Sequence, residues 1–131
     1  MNILSPESFN KLPDAILFDI DNTLYSYEVP HKIALEAVKD KATKTFSIES
    51  SKFDEAFLEA RTDVKKRLGN VASSHSRLLY MQKTLEILGL GSQILNSLDL
   101  EQTYWRVFFR NAELFENVKE FLDDIRLLDI P

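Results

Sequence analysis

Cysteine is missing from this 131-residue chain, and glycine and proline are scarce, with three and four residues respectively. The absence of cysteine excludes a disulfide framework, a thiolate nucleophile and a zinc–thiolate site, and it fits a reducing cytoplasm. So few glycines and prolines argue against a disordered or low-complexity protein. With 44% hydrophobic residues and nine phenylalanines, the chain can instead bury the core of about one domain.

Excess positive charge and long hydrophobic runs are also lacking. The formal net charge is −5, which gives no basic surface for nucleic acid or for an anionic membrane. No apolar run approaches the ~18 residues that a membrane helix needs, and the N-terminus lacks a signal-peptide pattern. We therefore predict a cytoplasmic protein with neither nucleic acid nor membrane as a partner. The oligomeric state is not readable from these patterns.

One stretch, AILFDIDNTLY over residues 15–25, carries the clearest chemical signal. Its short apolar run ends at Asp19, and turn-type residues follow, which is typical of a strand buried in a parallel sheet. Ligand sites of such sheets form at the carboxyl ends of the strands. There Asp19 and Asp21 could divide the roles of nucleophile or metal ligand and of proton donor. Oxygen ligands of this kind also suit Mg²⁺, and Thr23 adds a nearby hydroxyl.

Apolar residues at helical spacing predict five helices after this stretch. They cover about residues 30–45, 50–68, 73–88, 92–110 and 116–128. Ser50 or Ser51 is expected to cap the second helix, Ser73 or Ser74 the third, and Gly69 to end the second. A break of the fourth helix near Asp99 is left open. Its predicted core face comprises Leu95, Leu98, Tyr104, Trp105, Phe108 and Phe109.

A single buried strand followed by helices leaves a sheet incomplete, because its edge groups have no partners. In this stretch, four hydrophobic residues are followed by Asp19-Ile20-Asp21-Asn22-Thr23-Leu24. This pattern resembles the first signature motif of the haloacid dehalogenase (HAD) superfamily. The next helices resemble the helical cap of the subfamily whose cap lies between the first and second motifs. The resemblance implies an α/β fold, a HAD-like Rossmannoid core with an inserted helical-bundle cap. Its parts would be residues 1–28 (first strand and flap), 29–112 (cap) and 113–131 (return helix of the core, truncated before the second strand).

The resemblance also implies a reaction, the Mg²⁺-dependent hydrolysis of a small phosphorylated metabolite through an aspartyl-phosphate. Asp19 would be the nucleophile and a metal ligand, and Asp21 the general acid/base, with its carbonyl as a second metal ligand. Thr23 would contact substrate, and so would His75 and Arg77 from a loop that looks like the cap's specificity loop. A nucleotidase-like substrate is slightly favoured, while sugar phosphates and phosphoglycolate stay open.

Three later signature motifs of that superfamily, with their Ser or Thr, Lys and acidic pair, do not occur in these 131 residues. The adjacent Asp123 and Asp124 look like a solvated helix face. We therefore expect an N-terminal portion of a longer enzyme, with little phosphatase activity in the 131 residues alone. The alternatives are a 2-haloacid dehalogenase, which Asp21 disfavours, a phosphomutase, or a non-catalytic truncated helical module.

Several side chains near these elements have simpler structural interpretations. His31 is predicted to be a surface residue in the first turn of its helix. His75 is more simply an exposed loop residue, and Arg77 a surface or ion-pair residue. The basic run at 65–67 complements the dipole at a helix C-terminus.

Overall fold

A computed structural model describes residue 11 and residues 13–128 of the chain. These residues form two compact units. The first, here called the terminal unit, comprises the described residues up to Tyr27 together with those from Ala112 onward. The second, the helical unit, is the continuous segment Glu28–Asn111.

The helical unit consists of four α-helices and one short 3₁₀ turn. The helices are α1 (Glu28–Phe46), α2 (Ser50–Leu68), α3 (Arg77–Ile87) and α4 (Ile94–Asn111), and the 3₁₀ turn is Ala72–His75. Helix α1 packs against α4 and α2, and α3 packs against α2 and α4. The four helices predicted for this part of the chain are confirmed, with ends that differ by a few residues.

The predicted N-terminal caps of α2 and α3 are wrong. Glu49 precedes α2, and its side chain makes no capping hydrogen bond. Ser76 caps α3, because its Oγ accepts a hydrogen bond of 3.4 Å from the backbone N–H of Leu79. Ser74 lies instead in the 3₁₀ turn, where its hydroxyl donates to the carbonyl of Val71 at 2.7 Å. That turn takes up the serines expected to open α3, so the helix begins later.

The C-terminus of α2 ends as predicted. Gly69 adopts φ 66° and ψ −147°, and its N–H donates to the carbonyl of Lys65 at 2.9 Å. A side chain at this backbone conformation would be strained, so glycine allows the helix to stop here. Three basic residues occupy the last turn, where they complement the helix dipole, namely Lys65, Lys66 and Arg67.

The predicted core face of α4 is only partly correct. Tyr104 and Phe108 are buried, but Leu95 is 81% exposed and Phe109 is 69% exposed. Leu98 is also exposed, and Trp105 is half-buried. The buried residues of α4 are Ser97, Leu100, Thr103, Tyr104 and Phe108.

Two small polar residues explain this shift of the buried face of α4. Ser97 donates its hydroxyl hydrogen bond to the carbonyl of Gln93 at 2.9 Å, and Thr103 donates to that of Asp99 at 2.8 Å. Both hydroxyls are satisfied within the helix, so they can be buried at little cost. The helix runs without a break through Asp99, whose carboxylate pairs with Lys41 of α1 at 2.6 Å.

The terminal unit does not contain the predicted buried strand. Over the described residues no strand forms, and Leu17 is 97% exposed. A parallel strand needs neighbours on both sides for its backbone groups, and the described part of the unit supplies only isolated bridges. Among the described residues, the contact that most resembles a pair of strands is the antiparallel bridge between Tyr25 and Leu114.

The fifth predicted helix is present in the terminal unit as α5 (Val118–Arg126). Phe121 of this helix meets Phe18 edge to face, with ring centroids 6.0 Å apart. Asp123 and Asp124 are exposed, as predicted for a solvated face. Of the helices that the structure describes, none is both long and apolar enough to cross a membrane.

Candidate functional site

A tight turn follows Asp19 in the terminal unit. The carbonyl of Ile20 accepts backbone hydrogen bonds from the N–H groups of Thr23, at 3.2 Å, and Leu24, at 3.0 Å. Asn22 adopts φ 59°, a left-handed conformation that asparagine tolerates better than most residues. Its Oδ1 also accepts a hydrogen bond from the N–H of Tyr27 at 2.9 Å. The sequence therefore closes the turn with a residue suited to it.

This turn gives each aspartate a hydroxyl partner four residues further along the chain. Thr23 donates its hydroxyl hydrogen bond to Oδ2 of Asp19 at 3.2 Å. Tyr25 donates its phenolic hydrogen bond to Oδ1 of Asp21. Both carboxylates are exposed, so water and small solutes can reach them. The turn thus holds two carboxylates and two hydroxyls along one short segment.

Tyr25 is the best anchored of these residues. Bridges connect its backbone to Asp21 and to Leu114, and the neighbouring Leu24 carbonyl accepts a 2.9 Å hydrogen bond from Phe115. Its side chain is half-buried. Partial burial, the hydrogen bond to Asp21 and the negative charge of that carboxylate raise the pKa of Tyr25 to about 12. The phenol therefore stays protonated at neutral pH and remains a hydrogen-bond donor.

The chemistry of the turn fits a hard cation only in part. Asp19 and Asp21 supply the oxygen donors that Mg²⁺ prefers, and that ion often binds through one or two carboxylates and several waters. Within residues 13–128, however, no cluster of three or more histidine, aspartate or glutamate side chains could hold a metal ion. The donor type is therefore right, and the two aspartates form at most part of a ligand set.

The other predicted substrate contacts, His75 and Arg77, lie in the helical unit. His75 is exposed at the end of the 3₁₀ turn. Arg77 is half-buried at the start of α3, and its Nη1 donates to the carbonyl of His75 at 2.9 Å. The guanidinium carbon lies 5.5 Å from the ring centre of Tyr80 and 5.2 Å from that of Tyr104. These cation–π contacts hold Arg77 against two buried aromatic rings, so it is not a simple surface residue.

The prediction that His31 is a surface residue is wrong. Its side chain is half-buried, and its Nδ1 lies 2.6 Å from the hydroxyl of Tyr104. Burial, together with the positive charges of Arg77 and Arg61, lowers the pKa of His31, while Glu28 opposes this effect weakly. His31 therefore belongs to the aromatic and cationic cluster of the helical unit.

The structure thus keeps Asp19, Asp21 and Thr23 together on one turn, while His75 and Arg77 are neighbours in the other unit. The contacts of Tyr25 were not predicted. The sequence does contain a pattern that could have indicated the contact with Asp21, namely a hydroxyl residue four positions after each acid. Thr23 follows Asp19 by four residues, and Tyr25 follows Asp21 by four, across a turn that contains Asn22.

One comparison with known proteins agrees with the chemistry of these residues. The chain is similar to a phosphatase, the ribulose-1,5-bisphosphate 5-phosphatase of Halopiger xanaduensis. The two are 30% identical over 113 residues, which cover 86% of this chain and 47% of the relative. The chain therefore spans about half the length of the curated relative that it matches. No protein-family model matches the chain, and no solved structure does.

Proposed function

We propose that the full-length protein carrying this chain is a HAD-like phosphatase that hydrolyses a small phosphomonoester. The observation that carries the proposal is the turn in which Asp19 and Asp21 lie two residues apart, each with its own hydroxyl donor. Its sequence resembles the first HAD motif, and the chain is similar to a phosphatase. The Rossmannoid core and the role of residues 29–112 as a cap belong to the same proposal.

Two carboxylates suffice to describe both chemical steps. In the first step an oxygen of Asp19 attacks phosphorus, the bond from phosphorus to the ester oxygen breaks, and Asp21 donates a proton to the departing alcohol. In the second step Asp21 takes a proton from a water molecule whose oxygen attacks phosphorus. The bond between phosphorus and Asp19 then breaks, which releases inorganic phosphate and restores both carboxyl groups.

A magnesium ion is part of the proposed machinery. The carboxylate of Asp19 and the backbone carbonyl of Asp21 would hold it, together with ligands from residues outside this sequence. When bound, such an ion neutralises negative charge on the phosphate. Thr23 donates to Asp19, which keeps that side chain in one orientation. His75 and Arg77 would contribute to recognition of an anionic substrate.

The relative's activity makes sugar phosphates the substrate class to test first. The name of that relative specifies removal of a phosphate from ribulose 1,5-bisphosphate. The motif resemblance slightly favours a nucleotidase-like substrate, so nucleoside 5′-monophosphates are the second class. The shared chemistry of both classes is a phosphate ester of a primary alcohol on a sugar.

The decisive experiment measures phosphate release by the full-length protein with Mg²⁺, using both substrate classes. We expect Asp19→Asn to reduce turnover by at least about a thousandfold, because it removes the nucleophile. Asp123→Asn makes the same chemical change on the exposed face of α5 and should leave turnover unchanged. Wild-type turnover that survives Asp19→Asn would refute the proposal.

Two further assays separate the competing functions. Halide release from a 2-haloacid, without phosphate release from any ester, would identify a dehalogenase. Interconversion of sugar phosphates without loss of phosphate would identify a phosphomutase. The 131-residue chain assayed alone should show little turnover, and robust turnover abolished by Asp19→Asn would contradict that expectation.

A further inference from the structure

We propose that Tyr25 is a positioning residue that orients the Asp21 carboxyl group for proton transfer to the leaving alcohol. This inference rests on the proposed function. It concerns a residue whose side chain touches Asp21 and is not itself required to touch the substrate.

The Tyr25 hydroxyl is presented from a fixed backbone. The residue follows the turn closed by Ile20, and backbone bridges connect it to Asp21 on one side and Leu114 on the other. Its ring is half-buried, whereas the Asp21 carboxylate is exposed. An exposed aspartate side chain would otherwise rotate among several rotamers. The anchored phenol therefore selects the rotamer in which Oδ1 of Asp21 accepts its hydrogen bond.

This hydrogen bond also gives the two carboxyl oxygens of Asp21 different roles. Oδ1 accepts from Tyr25, so Oδ2 is left to carry the proton that Asp21 gives and takes. The hydroxyl of Thr23 is committed to Asp19, so the two hydroxyls of the turn serve different acids. General-acid catalysis requires the proton donor to lie close to the leaving oxygen in the right orientation. When Oδ2 is held in a fixed position, a larger fraction of the enzyme molecules has this orientation.

Leaving-group dependence distinguishes this role from a general contribution to folding. An alkyl alcohol needs a proton as the bond from phosphorus to oxygen breaks, whereas p-nitrophenolate leaves readily without one. A misplaced proton donor therefore slows hydrolysis of an alkyl phosphate and spares that of an aryl phosphate. Partial unfolding instead lowers both rates by one factor, because both substrates meet the same population of folded enzyme.

The experiment compares kcat/KM of the full-length wild-type protein and its Tyr25→Phe variant on two substrates, glycerol 1-phosphate and p-nitrophenyl phosphate. General acids contribute about 10²–10⁴-fold to catalysis, and we expect the variant to lose about tenfold on the alkyl ester. We expect a loss of less than about twofold on the aryl ester. Tyr27→Phe, which removes the same atom from the next tyrosine, should leave both values within about twofold.

A second arm tests whether the effect acts through Asp21. In an Asp21→Asn background, Tyr25→Phe should cause no further loss on glycerol 1-phosphate. Equal losses on the two esters, or a full additional loss in the Asp21→Asn background, would overturn the inference and leave the proposed function intact. A wild-type protein that hydrolyses neither ester, nor the sugar phosphates, nor nucleoside 5′-monophosphates would overturn the proposed function, and this inference with it.

Discussion

Phe108 and Phe109 are adjacent residues of α4 that the sequence pattern treats alike and the structure separates. Phe108 is 1% exposed, and its ring centroid lies 5.9 Å from that of Tyr104 and 5.6 Å from that of Trp105. Phe109 is 69% exposed and stacks on Trp105 at 5.6 Å. Replacing each by alanine therefore makes the same chemical change in two different environments.

The expected costs follow from burial. Full burial of a phenylalanine contributes about 1.5–3 kcal/mol, and the cavity left by truncation raises the cost of Phe108→Ala to about 3–5 kcal/mol. Only about a third of the Phe109 side chain is removed from water, so Phe109→Ala should cost about 0.5–1 kcal/mol. A domain of ordinary stability has about 5–15 kcal/mol in total, so the first variant approaches unfolding. Phe108→Leu is a milder variant, expected to cost about 1–1.5 kcal/mol.

Urea unfolding of the chain measures these differences. Trp105, the single tryptophan of the sequence, contacts both phenylalanine rings and gives a fluorescence signal for unfolding of the helical unit. Because substitution changes the fluorescence amplitude as well, the comparison uses the midpoint and the slope of each transition. If Phe109→Ala destabilised the chain as much as Phe108→Ala, the assignment of the buried face of α4 would be wrong.

Two further predictions concern the helical unit. The pKa of His31 is lowered in the folded chain, so the unfolded chain binds more protons. The stability that neutral His31 contributes is therefore complete above the unfolded pKa of about 6.5. This contribution declines as the pH falls through the lower folded pKa. The free energy of unfolding of His31→Gln should therefore depend less on pH between about pH 5 and 7, and an unchanged dependence would contradict the burial of this imidazole. Gly69→Ala should cost about 1–3 kcal/mol from backbone strain alone, because φ is +66° and an added Cβ meets nothing within 4 Å; a neutral effect in thermal unfolding would show that the end of α2 rearranges.

Helical periodicity predicted the helices well, and for a physical reason. Each of α1 to α4 buries a face against another helix in the same continuous segment, so the apolar spacing and the partner are both encoded locally. The end of α2 was equally readable, because Gly69 adopts a conformation that other residues avoid. Periodicity failed where small hydroxyl residues replaced large apolar ones, as with Ser97 and Thr103 of α4.

Residues 15–19 show the opposite case. Their apolar run predicted a buried strand, but a strand depends on partners that the pattern of the strand itself does not contain. The described residues provide no such partners, and the run has no regular secondary structure. The turn after it was better specified, because Asn22 and the hydroxyl of Thr23 act over a few residues.

The contacts of the candidate site and its neighbours were predictable only in part. Asp19, Asp21 and Thr23 stood out through their spacing, whereas the backbone bridge that anchors Tyr25 is made to Leu114, far along the sequence. His31 was misjudged because its partner Tyr104 lies on another helix, far along the sequence. No local pattern identifies a contact of that kind.

The division of the chain into a continuous helical unit and a terminal unit made from two separate segments has a consequence for synthesis. Contacts such as Tyr25 with Leu114, or Phe18 with Phe121, cannot form until the ribosome has translated the whole of the helical unit. The helical unit needs only its own residues, so it can fold first on the nascent chain. When the terminal unit then forms, its two segments close a loop whose interior is already compact. Less chain entropy is lost in this step than in closing a flexible loop of the same length. The contacts that Phe18 and Tyr25 make with the C-terminal segment are therefore among the last of this chain to form.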